Sequence, residues 1–296
     1  MAGASAYHSP DPCTDDGEHA APDAGTGIPV VDFDALVNGA AEQRAQAVRD
    51  VGRACQDWGF FMGCMHAVPL ASYTYTYKIP YWRDYFKMFA HPELHCPATP
   101  AKLREVATEY AARTRALLLS LSTAVSESLG LAGGRVSEAM RLDSCFQILV
   151  ANRYPPYAAG PGLGLGLPAH TDHGFLTLLF QNGVDGLQVQ HGGRWLLARP
   201  LPGAFFVIAG DQLEIVSNGR YRGVLHRAVV DGERARMSMV SMISPCLDTV
   251  VEPVPELADG RGLQFRGVRY RDYMEHQQSN KLDGKAALDI ARVQRV

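Results

Sequence analysis

From Phe146 onward the spacing of apolar residues changes from three and four to two, and that change constrains the fold more than any other feature. Phe146–Tyr154, Phe175–Phe180, Gly186–Gln190, Arg194–Leu197, Ala204–Ile208, Gly223–Val230 and Arg236–Ile243 all read as strands. His191-Gly192-Gly193, Pro200–Gly203 and Asp231-Gly232-Glu233 supply turns between them. Many short strands at regular spacing make a sandwich or barrel. The expected class is mainly β with flanking helices.

The flanking helices are read from the other period. Val48, Val51, Cys55 and Trp58 mark a helix over 40–58, which Gly59 can stop in a left-handed conformation. Ile28–Phe33 and Phe60–Cys64 on either side read as strands. A long helix is expected to start at Thr99-Pro100, with Thr99 as cap and Pro100 at the first helical position. Leu103, Val106, Tyr110, Leu117, Leu121, Val125 and Leu129 form its stripe, and Gly130 ends it. Shorter helices are expected over 135–143 and Tyr270–Gln278. This divides the chain into a disordered tail (1–27), a helical N-terminal region (28–130), a β core (145–246) and a helical C-terminal segment (247–296). Residues 66–99 show no period, and their aromatic residues are read as core packing. His91 and His95 are four apart, but Pro92 lies between them and no catalytic glutamate follows, so they are not read as ligands. Gly160, Gly162, Gly164 and Gly166 lack the dinucleotide spacing and are read as a mobile loop.

Composition removes several function classes. A net charge of -3 over 296 residues gives no footprint for nucleic acid or an anionic membrane, and no apolar run is long enough to span one. The six cysteines form no C-x-x-C pair and are read as reduced thiols. No lysine or arginine precedes Arg44, which argues against a secretory or transit leader. The expectation is a cytoplasmic monomer, with the nucleus also open to it, acting on a small molecule.

The chemistry lies between Pro168 and Pro245. On a strand, His170 and Asp172 would share a face while His173 points away. His226 in a later strand would complete two imidazoles and one carboxylate, the donor set that suits non-haem Fe(II). The His-x-Asp pair means little alone, since chance gives about 0.6 such pairs in a chain of this composition. Context raises it: Arg236 and Ser238 share a face of an apolar strand, and a buried arginine needs an anionic partner. A guanidinium grips a carboxylate through two parallel bonds and a hydroxyl can add a third, so a bound dicarboxylate fits the pair.

These residues carry a resemblance. Pro168–Asp172, Leu225–Arg227, Arg236-Met237-Ser238 and Asn152–Pro156 resemble the plant 2-oxoglutarate- and Fe(II)-dependent dioxygenases, as do Gln181–Val189, Gly210-Asp211, Ile28–Phe33 and Trp58–Phe61. Trp82-Arg83-Asp84-Tyr85 is most similar to the flavanone 3-hydroxylase-like and downy-mildew-resistance-6-like branch. The resemblance spans about residues 28–290. It implies a distorted double-stranded β-helix, or jelly roll, with Fe(II) on His170, Asp172 and His226. It implies 2-oxoglutarate as cosubstrate, its far carboxylate on Arg236 and Ser238, with Tyr154 and Asn152 lining its site. O2 would be consumed, ascorbate would support turnover, and succinate and CO2 would be released. The product would be a hydroxylated or desaturated specialised metabolite, phenolic or flavonoid-like. The chain departs from the family at Met65-His66-Ala67-Val68-Pro69, where the family usually reads Asn-His-Gly-Val-Pro. It also carries only Leu70 to Tyr81 before Trp82, where the family has several tens of residues. Two other readings keep the same ligands: a catalytically silent binding protein of this fold, and an ethylene-forming-type oxidase that does not use 2-oxoglutarate.

Overall fold

The computed structural model describes residues 27–64, 82–157, 164–258, 260, 262–279 and 284–293. The expected tail, apart from Gly27, and the shortened stretch 70–81 lie outside the described residues. The described chain opens with β1 (Val30–Asp32), which runs parallel to β2 (Phe60–Cys64). Parallel neighbours need a crossover, and α1 (Phe33–Asn38) and α2 (Ala41–Asp57) supply it. Asp32 caps α1, its carboxylate accepting from the backbone N–H groups of Asp34 and Ala35. Gly59 turns the chain after α2 at φ +66°, and a Cβ there would lie 2.0 Å from the Arg222 carbonyl oxygen, so only glycine fits.

The chain continues through β3 (Asp84–His91), α3 (Ala101–Ser128), α4 (Arg135–Met140), β4 (Phe146–Tyr154), β5 (Leu165–His170), β6 (Leu176–Gln181), β7 (Leu187–His191), β8 (Arg194–Leu197) and β9 (Ala204–Ala209). It then forms α5 (Asp211–Val216), β10 (His226–Val229), β11 (Arg236–Ser244), β12 (Val250–Val251), β13 (Val268–Arg269) and α6 (Tyr270–Ser279). The major sheet has the order β1-β2-β9-β6-β11-β4-β3 and the minor sheet β5-β10-β7-β8. One face of the major sheet, with Phe61, Leu178, Val207 and Ile243, packs on Val51, Leu118, Leu121 and Val125 of the helices. The other face, with Met62, Leu179, Phe206 and Ile208, packs on Leu187 and Val189 of the minor sheet and on Ala198 just beyond it. Leu118 and Leu121 are fully buried, and each such side chain contributes about 1.5–3 kcal/mol. The helix-facing layer also holds a polar tie. Gln147 Nε2 donates to Ser241 Oγ at 2.8 Å and to Thr114 Oγ1 at 3.1 Å, joining β4, β11 and α3.

The jelly-roll expectation therefore holds as two facing sheets flanked by helices, without closure into a barrel among the described residues. Several local expectations change. Of the described glycines of the run, Gly166 lies in a strand rather than a loop and Gly164 directly precedes it, because β5 begins at Leu165. A Cβ on Gly166 would lie 2.5 Å from Tyr154 Cδ1, so this glycine provides close approach between sheets rather than mobility. Residues Asp84–His91, without a readable period, form the edge strand of the major sheet. The long helix starts at Ala101, with Pro100 at the cap and no side-chain capping bond, so Thr99 is not the cap. Val106 is 42% exposed, and Ala107 and Ala111 take the buried positions instead. Their small side chains let α3 lie close to β3 and β4.

Cys55, Cys96, Cys145 and Cys246 are free thiols, as expected. Burial pushes the Cys55 thiol up to about 12, and the reactive thiolate is thereby suppressed. In iodoacetamide at mildly alkaline pH, Cys55 is expected to stay unmodified in the native protein and to label fully in guanidinium, read by peptide mass spectrometry. Native labelling of Cys55 as fast as Cys246 would contradict this packing. No helix among the described residues is long and apolar enough to cross a membrane.

Candidate active site

β5 ends on His170 and β10 begins on His226, and the two residues face each other across the antiparallel pair. Their rings lie 4.3 Å apart. His170 Nδ1 is 2.8 Å from the Pro168 carbonyl oxygen, and His226 Nδ1 is 3.1 Å from that of Val224. A carbonyl only accepts, so each Nδ1 carries the proton and each Nε2 is left with a free lone pair. Asp172 Oδ1 stands 3.9 Å from His170 Nε2 and 3.7 Å from His226 Nε2. One donor atom from each of the three residues falls within 4.8 Å of the others. Burial, reinforced by the neighbouring His226, lowers the His170 imidazole to about 4, so it is neutral and able to ligate at ordinary pH. Burial pushes the Asp172 carboxyl up, but His226 and His170 more than offset this and leave it below its usual range. Its Oδ2 is buried without a hydrogen-bond partner. Two imidazoles and one carboxylate in this arrangement can hold a divalent metal on one face.

The strand argument for His170 and Asp172 needs correction. His170 is the last residue of β5, and Asp172 lies beyond it, so the pair spans a strand end and a turn. The turn is held by hydrogen bonds instead of strand register. The Asp211 backbone N–H donates to the Asp172 carbonyl oxygen at 2.8 Å. Thr171 Oγ1 and the Tyr273 hydroxyl both donate to Asp211 Oδ2, at 2.9 and 2.6 Å. Burial raises the Asp211 carboxyl to about 7. Gly210 allows this approach, since a Cβ there would lie 2.1 Å from the Gly174 carbonyl oxygen. Nearby, Lys285 donates to Glu214 Oε2 at 2.5 Å and to the Gly223 carbonyl oxygen at 2.9 Å. His173 points elsewhere, its Nδ1 2.8 Å from the Tyr270 hydroxyl. His91 and His95 join no metal-type cluster among the described residues.

The second group lies on the inner face of the major sheet. Arg236 and Ser238 are both buried, with exposed Met237 between them. In register, Arg236 stands opposite Tyr154, and Ser238 opposite Asn152 and Gln181. The Arg236 guanidinium carbon sits 4.9 Å over the Tyr154 ring. Its Nη2 and Nε donate to Gln181 Oε1 at 2.7 and 3.2 Å. Asn152 Nδ2 donates to Ser238 Oγ at 3.2 Å, and Arg83 Nη1 donates to Asn152 Oδ1 at 3.3 Å. Arg236 is only 1% exposed, and its Nη1 has no partner. Burial lowers its pKa, opposed by the charge and hydrogen bond of Tyr154 and then by Asp185, the one carboxylate that acts on it, which bonds Arg199. Sequence reading gave no role to Gln181, Asp211, Tyr273 or Arg83. Their partners are tens of residues away and leave no local spacing to read. The available signal was that Gln181, Asp211 and Arg83 stand in segments that carry the family resemblance, which marks them without giving a role.

The model of the 2OG-Fe(II) oxygenase superfamily matches residues 145–245, and that of the non-haem dioxygenase N-terminal region, described from morphine synthesis, matches residues 28–93. Over 305 residues, covering 90% of each chain, the protein is 61% identical to 2-oxoglutarate-dependent dioxygenase 19 of Oryza sativa subsp. japonica. The chain belongs to the 2-oxoglutarate- and Fe(II)-dependent dioxygenases. It is also 34% identical over 309 residues to flavanone 3-dioxygenase 2 of the same rice subspecies, covering 90% of this chain and 87% of that one. Among solved structures it is similar to JOX2 in complex with 2OG, Fe and JA, with a TM-score of 0.78 and 26% identity over 90% of this chain and 89% of that one. Dioxygenases of this family use Fe(II), 2-oxoglutarate and O2. The dioxygenase described here fits those groups through two orphaned atoms, Asp172 Oδ2 within the His170–His226 cluster and Arg236 Nη1 in the buried layer beside Tyr154.

Gly186 completes this layer. It adopts φ +152°, and a Cβ there would lie 2.7 Å from Arg236 Cδ and 2.6 Å from the Val229 carbonyl oxygen. Gly186→Ala is expected to cost about 1–3 kcal/mol of stability by overpacking and, if Arg236 anchors 2-oxoglutarate, to weaken its binding by displacing that side chain. Calorimetric titration and thermal melting check this. An unchanged dissociation constant would show that the arginine does not depend on that approach.

Proposed function

We propose that the enzyme hydroxylates or desaturates a small aromatic metabolite, phenolic or flavonoid-like, with release of succinate and CO2. His170, Asp172 and His226 hold Fe(II), and Arg236 with Ser238 holds the far carboxylate of 2-oxoglutarate between Tyr154 and Asn152. The observation that carries this reading is Arg236: a nearly fully buried guanidinium with a partnerless Nη1, in the same protein as a two-histidine, one-carboxylate cluster. Such a cation is costly unless an anion joins it. The bound iron supplies O2 activation coupled to decarboxylation of the cosubstrate. The chain's own residues do the positioning. Pro168 and Val224 carbonyls fix both imidazoles, Gln181 aims the guanidinium, and Arg83 and Ser238 orient Asn152. Flavanone 3-dioxygenase 2 and thebaine 6-O-demethylase of Papaver somniferum are among the relatives, at 34% and 31% identity, and these names support an aromatic substrate.

Anaerobic addition of Fe(II) and 2-oxoglutarate is expected to give a visible charge-transfer band. Admission of air with a phenolic panel is expected to release succinate, and ascorbate alone is not expected to replace the cosubstrate. A band without succinate for any candidate would favour the silent binding protein, and oxidation with ascorbate alone the ethylene-forming type.

A further inference from the structure

Strand β3 carries a cation that the cosubstrate layer does not use. Tyr85, Lys87 and Phe89 stand opposite Asn152, Val150 and Ile148 of β4. They therefore share the inner face with Asn152, while Met88 on the other face packs with Leu149 against α3. This end of the inner face is open: Phe89 is 50% exposed and Lys87 is exposed with it. Rings border the opening in sequence. Phe89 meets Phe146 at 6.3 Å, Phe146 meets Tyr270 at 5.8 Å, and Tyr270 meets His173 at 6.4 Å. His173 follows the candidate ligand Asp172 directly in the chain. This run of rings leads from the Lys87 face of β3 to the turn that bears Asp172.

Lys87 is crowded without being paired. Protein around its side chain lowers its pKa by burial, although solvent still reaches it; both hold for a side chain in a concavity. No described residue bonds or pairs with it, and residues 65–81, which join β2 to the start of this region, contain no Asp or Glu. A cation flanked on its strand face by Tyr85 and Phe89, on the ring path to the candidate metal turn and lacking a counter-ion among the described residues, is arranged to take one from a ligand. We propose that Lys87 selects the substrate, binding an anionic oxygen, carboxylate or phenolate, of a flat aromatic molecule whose ring lies against Phe89 and Phe146. This deepens the dioxygenase reading and rests on it.

Calorimetric titration of the metal- and 2-oxoglutarate-loaded enzyme under anaerobic conditions tests it with three probes. They are 4-hydroxycinnamate, its methyl ester, which lacks the carboxylate, and 4-methoxycinnamate, which lacks the phenol. A charge-assisted hydrogen bond contributes about 1.5–3 kcal/mol, so removing the group that Lys87 reads is expected to weaken wild-type binding about 10- to 100-fold. Loss with the ester identifies a carboxylate reader, and loss with the methoxy acid a phenolate reader. Lys87→Met is expected to erase that difference, and Lys87→Arg to keep most of it. Equal wild-type affinity for all three probes, no binding of any, or an undiminished difference in Lys87→Met would overturn the proposal. The wild-type comparison decides even if Lys87→Met does not fold. The charge-transfer band of the wild-type enzyme is recorded in the same samples. Its absence would count against the dioxygenase reading, while the probe affinities still judge Lys87.

Discussion

Arg236→Met is expected to leave the ligand-free protein as stable as before, or about 1 kcal/mol more stable, while removing its hold on 2-oxoglutarate. The two effects come from one fact. Without a ligand the guanidinium is buried, with Nη1 unpaired and no bonded carboxylate. Replacing an uncompensated buried charge by an apolar side chain of similar length is often neutral or stabilising. The gain is limited because Gln181 Oε1 loses both of its donors, and an orphaned acceptor costs about 1–3 kcal/mol. With the ligand bound, the lost pairing is worth about 3–5 kcal/mol, which corresponds to roughly a 10²- to 4 × 10³-fold weaker dissociation constant. Melting curves with and without 2-oxoglutarate measure both at once. Wild type should melt higher with the ligand and the variant should not. A variant that melts well below wild type without ligand, or keeps the ligand shift, would contradict the role given to Arg236.

The second large effect is expected at Asp172. Asp172→Ala removes the only carboxylate of the cluster and leaves His170 and His226 facing each other. Outer-shell changes already cost 10- to 100-fold in metal affinity. Loss of this ligand should therefore exceed about 100-fold and leave iron-dependent succinate release undetectable. Anaerobic metal titration separates the two readouts. Tight metal binding by the variant would show that the histidines and some other donor make the site, and the three-residue assignment would fail.

Much of this was legible because alternation is a local property. The seven strands read from Phe146 onward correspond to β4, β6, β7, β8, β9, β10 and β11, with shifts at their ends. Arg236 and Ser238 were readable as same-face neighbours because a single strand carries both. β3 was not legible. Its sequence Asp84–His91 has large side chains on both faces, since Met88 packs on α3 while Tyr85 and Phe89 face inward, so no period of two survives. β5 was hidden by glycines that read as flexibility but serve close packing on Tyr154 and Val230. α1 and α5, of six residues each, were not read, although α4, equally short, was. The support behind the ligands was invisible for another reason. Thr171, Asp211 and Tyr273 are separated by 40 and 62 residues, and hydrogen bonds over such distances leave no pattern in a single chain.

That support has a consequence for the order in which the protein is made. All three candidate ligands have been synthesised once His226 emerges from the ribosome. The turn carrying His170 and Asp172 has Thr171 and the Asp211 N–H by then, but only part of its brace, because Tyr273, which bonds Asp211, and Lys285, which bonds Glu214 beside it, are yet to be added. The nascent chain thus owns its donors before all of their support is in place, so its full hold on a metal is expected only once the chain through Lys285 has been made.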